Sequence, residues 1–143
     1  ITNACFLTRP PVVAALRVLD ENNGEIWAKL DAGTEEYFRQ VDRSNVTLQH
    51  VLDNILETAR VRPVVIQSLF LRLHGSPPAE SEITAYVERL RRLSDSGARL
   101  SRVQVYTVAR SPAEPYVSAL SVLELERIAD AVRCAGLPVE IFP

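Results

Sequence analysis

The chain has 143 residues, 47% of them hydrophobic and 24% charged, which is the composition of an ordinary globular domain able to bury a core without staples. Sixteen basic residues against eighteen acidic ones leave a formal charge of −2, so no electrostatic footprint supports nucleic acid as a partner. The apolar runs are too short to span a bilayer, ITNACFLTRPP does not read as a secretory signal, and the cytoplasm is the expected location.

In chain order, TNACFL is a short apolar strand, and Arg9-Pro-Pro leads into a helix expected from about Pro11 to Glu21. Its apolar face is Val12, Ala15, Leu16 and Leu19, and Asn22-Asn23-Gly24 ends it. The rest of the chain is arranged around the stretch Gly24 to Arg43. Ile26, Ala28 and Leu30 alternate with Trp27 and Lys29 as in a strand, the run breaks at Asp31-Ala-Gly, and Thr34 caps a helix with Glu35 and Glu36 in its first turn. Asp42-Arg-Ser-Asn reads as a break. Thr47 then caps a helix to about Arg60, with Leu48, Val51, Leu52, Ile55, Leu56 and Ala59 on one face, the strongest amphipathic pattern present.

After Pro63, VVIQSLFLRL reads as one near-continuous apolar strand of a parallel sheet, with Gln67 as its oddity. His74-Gly-Ser-Pro-Pro is a loop, and the next helix turns Ile83, Val87, Leu90 and Leu93 inward and Glu88, Arg89, Arg91 and Arg92 outward. Ser94-Asp-Ser-Gly97 stops it. In SRVQVYTVAR, Val103, Val105 and Thr107 alternate with Gln104, Tyr106 and Val108, and Ser111-Pro-Ala-Glu-Pro-Tyr is a rigid loop. Ser121 and Glu124 have capping-box spacing for a last helix with Leu125, Ile128, Ala129 and Val132 inside, and Pro138 to Phe142 is a closing strand.

This β-α alternation predicts an α/β fold with about five mostly parallel strands, residues 1–143 forming one domain. An open doubly wound sheet and an arc of a (β/α) barrel both satisfy the pattern. In either, chemistry sits at the carboxyl ends of the strands, which carry Asn3, Lys29, Asp31, Gln67, Ser68, Gln104, Tyr106 and Arg110. Gln67 and Gln104 either face a ligand or pair with each other, with Ser68 or with bound water. Lys29 and Asp31 share a strand face and are close enough to pair, while Asp31 could equally cap the following helix. Cys5 and Cys134 have no metal-ligand spacing with each other or with His50 and His74, and both read as reduced core thiols. The sequence holds no Gly-rich phosphate loop, nucleophile elbow or other self-sufficient catalytic motif.

Taken together, TNACFL, KLDAGTEEYFRQVDR and VQVYTVARSPAEPYVSALSVLELERIA resemble, in order, blocks of radical S-adenosylmethionine proteins, in particular the iron-sulfur oxidoreductase group similar to wyosine-forming enzymes. The resemblance implies the C-terminal portion of a (β/α)6 partial barrel, TIM-like, belonging to a parent that cleaves S-adenosylmethionine reductively at a [4Fe-4S] cluster. It places Asn3, Lys29, Asp31 and Gln67 near the cosubstrate, and Gln104, Tyr106 and Arg110 towards the substrate. The family's Cys-x-x-x-Cys-x-x-Cys motif is absent from this chain, and Arg110-Ser-Pro stands where Arg-Pro-Pro is commoner. The chain alone is therefore expected to be inactive in reductive cleavage, with no metal ligands of its own. The competing expectation is a non-catalytic α/β module that binds a small molecule or a protein. A third is a response-regulator-like sheet with Asp31 as phosphoacceptor.

Overall fold

The computed structural model describes residues 1–143. Helix α1 (Pro10–Glu21) precedes strand β1 (Trp27–Lys29), and α2 (Glu35–Val41) and α3 (Leu48–Val61) come next. Strands β2 (Val64–Leu69) and β3 (Leu71–Leu73), helix α4 (Glu80–Asp95), β4 (Leu100–Tyr106), β5 (Val117–Ala119), α5 (Val122–Cys134) and β6 (Val139–Phe142) complete the chain. The caps read from the sequence are present. Thr34 accepts from the Tyr37 amide, Thr47 from the His50 amide, and Ser121 with Glu124 forms the reciprocal box.

Four strands form one parallel sheet in the order β1-β2-β4-β6. A doubly wound sheet reverses its strand order at a switch point, and this one does not. Right-handed crossovers between strands laid down in sequence put the helices on one face, which is the arrangement of a barrel arc. Thr2 adds a single parallel bridge to Ala28 rather than a full first strand. The expected fifth strand is thus reduced to one residue pair.

Along each strand side chains alternate between the two faces. Ile26, Ala28, Leu30, Val64, Ile66, Val103 and Val105 are buried against the helices, within a cluster of 27 core residues. Each large aliphatic side chain buried this way stabilises the fold by about 1.5–3 kcal/mol. The other face carries Trp27, Lys29, Val65, Gln67, Leu69, Arg102, Gln104, Tyr106, Glu140 and Phe142, none of which joins that cluster, although Val65 and Gln104 are buried.

One polar residue belongs to the helix-covered face. Ser68 Oγ donates to the Leu30 carbonyl at 2.6 Å and lies 2.6 Å from Tyr86 Oη, whose ring packs edge-on against Phe70. Ser68→Ala leaves two buried groups without a partner, so urea unfolding should show a loss of about 1–3 kcal/mol.

Three expectations are corrected. VVIQSLFLRL is not one strand: buried Phe70 interrupts it, and β3 leaves the main sheet to pair antiparallel with β5, a ribbon that periodicity did not reveal. On α1 only Leu16 of the expected face is fully buried, and Leu19 is exposed, because α1 flanks the edge of the sheet beside the lone Thr2 bridge. The cysteines are free, but Cys134 is exposed and Cys5 half-buried, so neither is a core thiol.

Candidate functional site

At the carboxyl end of β1 the backbone leaves the sheet and turns sharply into α2. Gly33 makes this turn possible by direct approach to α4, since a Cβ built on it would lie 2.1 Å from the Tyr86 nitrogen. Buried Glu82 of α4 accepts from the Gly33 amide at 2.5 Å, from the Thr34 amide at 3.2 Å and from the Thr34 hydroxyl at 2.6 Å. Arg89 returns a bond from its Nε to the Gly33 carbonyl at 3.0 Å. The turn is therefore held by both charges of one helix.

This clamp fixes Asp31, which is only 1% exposed. Its Oδ1 accepts from the Leu69 amide at 2.7 Å, tying the end of β1 to the end of β2, and its Oδ2 lies 2.9 Å from Lys29 Nζ. Asp31 does not cap α2, a task Thr34 performs. Nor is it an accessible phosphoacceptor, because it is buried, with Oδ1 bonded to the Leu69 amide and Oδ2 in an ion pair with Lys29. Asp42 follows the last turn of α2 as its C-cap, and its Oδ2 is buried without a donor. Burial first, then the charge of Asp31, pushes Asp42 up to about 7. Burial also raises Asp31 against the opposing pull of Lys29 and of the Leu69 amide. Lys29 is raised: its burial lowers it, and the Asp31 carboxyl more than offsets that. Tyr106, half-buried on β4, is raised by burial and by the Asp31 charge.

Beside this cluster the open face carries a polar row in parallel register, Lys29 beside Gln67 and Gln67 beside Gln104, with Glu140 next in line. Gln67 Nε2 donates to Gln104 Oε1 at 3.4 Å, and Gln104 Nε2 donates to Glu140 Oε2 at 3.2 Å. Arg102 extends the network. Its Nε donates to Glu140 at 3.2 Å, and its two terminal nitrogens donate to Glu25 at 2.9 and 3.0 Å. The Arg102 and Trp27 hydrogen bonds hold Glu25 down at about 2. The amides thus pair with each other, the plainer of their two readings. Gln67 remains half-exposed and keeps hydrogen-bonding capacity, whereas Gln104 is buried, with its Oε1 and Nε2 both bonded to neighbours.

Of the residues singled out in the sequence, Lys29, Asp31, Gln67, Gln104 and Tyr106 come together. Asn3, just beyond the Thr2 bridge, is exposed at the edge beside β1. Arg110 is exposed in the loop after β4 and makes no hydrogen bond or ion pair, so it stands apart from the row. The arginine at this rim that does bind neighbours is Arg43, which donates to Glu114 at 2.8 Å and to the Tyr116 hydroxyl, while the Tyr116 ring stacks on His74 at 4.6 Å.

Sequence reading missed Asp42, Glu82 and Glu140. A signal existed for two of them. Asp42 places a carboxylate at the negative end of a helix, where the macrodipole disfavours it, and in VEIF the alternation puts Glu140 on the Gln104 side. Glu82 gave none, because an acidic residue in a first helical turn is explained by the dipole alone.

A parallel sheet in sequential order with its helices on one side is a partial (β/α) barrel, the TIM-like arrangement found in radical S-adenosylmethionine enzymes. No family model and no curated protein matches the chain. Among solved structures it is similar to a domain of pyruvate-formate lyase-activating enzyme from Bacteroides vulgatus ATCC 8482, with a TM-score of 0.69 at 17% identity, covering 98% of this chain and 78% of that one. It is also similar to a radical SAM methyltransferase from Sphaerobacter thermophilus, with a TM-score of 0.65 at 14% identity over 89% of this chain. There it spans only 37% of the enzyme's length. At these identities the likeness is one of fold. The wyosine-forming group is not singled out by either neighbour.

An iron-sulfur cluster does not fit the residues present. Such clusters are held by several thiolates, whereas this chain offers one half-buried cysteine near its start and one exposed cysteine ending α5. No group of three His, Cys, Asp or Glu side chains is arranged to hold a metal ion.

Proposed function

We propose that this chain is the C-terminal part of the core domain of a radical S-adenosylmethionine enzyme of the wyosine-forming-like oxidoreductase group, working in the cytoplasm. Its open sheet face contributes contacts to the cosubstrate and to a substrate of unassigned class, and the cluster-binding cysteines belong to residues outside it. One observation carries the reading: Lys29, Gln67 and Gln104, from three separate strands, lie in one register row on the face of a partial barrel away from its core cluster. S-adenosylmethionine has a carboxylate, an amine, a ribose and a purine, which suit an ammonium with its paired carboxylate and an amide that both donates and accepts. Lys29 and Gln67 are assigned to the cosubstrate directly and Asp31 through its ion pair with Lys29, with Asn3 at their edge, and Gln104, Tyr106 and Arg110 are assigned to the substrate. The test is the reading frame upstream of Ile1. A Cys-x-x-x-Cys-x-x-Cys motif there is the expected result, and a frame without one overturns the assignment.

A second reading draws on the bonds from Gln67 to Gln104 and from Gln104 to Glu140, which satisfy these amides inside the protein. On it, the chain is a non-catalytic α/β module whose open face takes a small molecule or a protein. It predicts a monodisperse 143-residue chain that binds its ligand without iron. Aggregation through the uncovered strand edges would speak for the barrel fragment instead.

A further inference from the structure

We propose that the amino end of the sheet carries a second ligand site, which takes a small organic phosphate on Arg62 and Arg99. A cleft of about 560 Å³ lies there, between the end of α1 and the starts of β1, β2 and β4. It is at the opposite end of the strands from the carboxyl rim, and it shares no residue with the row of Lys29, Gln67 and Gln104. The fold brings its two arginines together, because the Arg99 carbonyl accepts from the Val64 amide at 3.0 Å and so sets the residues leading into β2 and β4 side by side.

Arg62 is the anomaly. It is 9% exposed, its Nε is buried without an acceptor, and its side chain makes no hydrogen bond. Its one counter-charge is Asp20 of α1, whose Oδ2 lies 3.2 Å from a terminal nitrogen. A guanidinium is donors throughout and stays charged at every ordinary pH, so burying it is costly unless acceptors surround it. Basic residues favour the carboxyl end of a helix, and Arg62 follows α3 as its C-cap, but it bonds none of that helix's carbonyls. Arg60, one turn of chain away, does find such a partner in the Ser96 carbonyl at 3.0 Å. Acceptors are what Arg62 lacks.

The other charges of the cleft set the sign of the ligand. Asp20 is spent on Arg62. Glu25 has both oxygens bonded by Arg102, at 2.9 and 3.0 Å, and accepts from Trp27 Nε1 as well. Arg99 is exposed, with no hydrogen bond or ion pair on its side chain. The uncommitted groups are thus Arg99 and the unbonded donors of Arg62, all of them positive. A phosphate suits them better than a carboxylate, since its oxygens can accept side-on from Nε and a terminal nitrogen of Arg62, turned towards the cleft, while another reaches Arg99. Val61, 65% exposed, lines the same cleft with Ile26, Pro63 and Val65, an apolar wall for the body of the ligand.

Titration of the isotopically labelled 143-residue chain with phenyl phosphate, followed by backbone amide and arginine Nε–H resonances, tests the site. Saturable shifts at Asn23, Arg62, Arg99 and Ser101 are expected, with the Arg62 Nε–H moving downfield as it gains an acceptor. Arg62→Gln should weaken binding by about tenfold or more, the loss expected for charge-assisted hydrogen bonds. Arg99→Gln, at an exposed and unbonded position, should weaken it several-fold and leave the fold intact, so it decides the matter should Arg62→Gln not fold. Arg91→Gln, on the outer face of α4, should leave binding unchanged. Inorganic phosphate should bind the same residues more weakly, and phenol should not bind them. No saturable shift with phenyl phosphate, shifts centred on Lys29 and Gln67, or undiminished binding by Arg99→Gln overturns the proposal, and phenol binding as well as phenyl phosphate removes the anion from it.

Discussion

Replacing Gly33 by alanine should destabilise the chain by about 3 kcal/mol, the upper part of the range for forced overpacking, and lower its melting temperature by roughly 10 °C. The new methyl would meet Tyr86 and Ala85 backbone atoms of α4 at 2.1 to 2.6 Å, and backbone cannot rotate away as a side-chain tip can. Relief requires α4 to move from the β1–α2 turn, which breaks the Glu82 bonds to Gly33 and Thr34 and the Arg89 bond to the Gly33 carbonyl. The same movement shifts Asp31, two residues upstream. Chemical denaturation of Gly33→Ala beside Gly136→Ala separates this from a general glycine effect, because Gly136 has open space around it and its cost arises only from its positive φ. A Gly33→Ala loss no larger than that of Gly136→Ala would show that the close approach is not what holds the turn.

The second large effect is on pH. Asp42 is raised from the ordinary aspartate range to about 7, so the folded chain binds a proton more tightly than the unfolded one. The stability this supplies is complete below the unfolded value and is lost as pH rises through the folded one. The full shift corresponds to about 4 kcal/mol, and solvent screening of a half-buried group reduces it to about 2 kcal/mol. Raising the pH from 5 to 8 should therefore lower the melting temperature by several degrees. Glu25 and Glu124 are held low by their hydrogen bonds, so their contributions vanish only in acid, outside this window. Asp42→Asn, a neutral shape-mimic of the protonated acid, should flatten the profile and be the more stable protein at pH 8. A wild type that gains stability between pH 5 and pH 8 would reverse the sign of the account.

The helices were legible because their signals are local. Thr34, Thr47 and the Ser121–Glu124 box act within one turn, and each is found where the spacing put it. The faces of β1 and β4 were legible too, since alternation alone separates Ala28 from Lys29 and Val103 from Gln104. Strand order was not, because periodicity carries no information on which strand lies beside which. The β1-β2-β4-β6 order is what decided between barrel arc and doubly wound sheet. The β3–β5 ribbon escaped because three-residue strands carry too few alternations to distinguish from a loop. At the site, the Lys29–Asp31 pair followed from two-residue spacing on one strand. The burial of Asp42 Oδ2 without a donor did not, since it depends on how far α2 runs and on how α4 seats the turn before it.

If side chains from separate strands make one binding face at the open side of this sheet, a ligand must perturb them together. The most direct measurement is a titration of the isotopically labelled chain with S-adenosylmethionine, followed by the amide resonances, including the side-chain amides of Gln67 and Gln104. Saturable shifts at Lys29, Gln67, Gln104 and Tyr106 are the predicted result. No shift, or shifts confined to Asn23, Arg62 and Arg99 at the opposite ends of the strands, would contradict it.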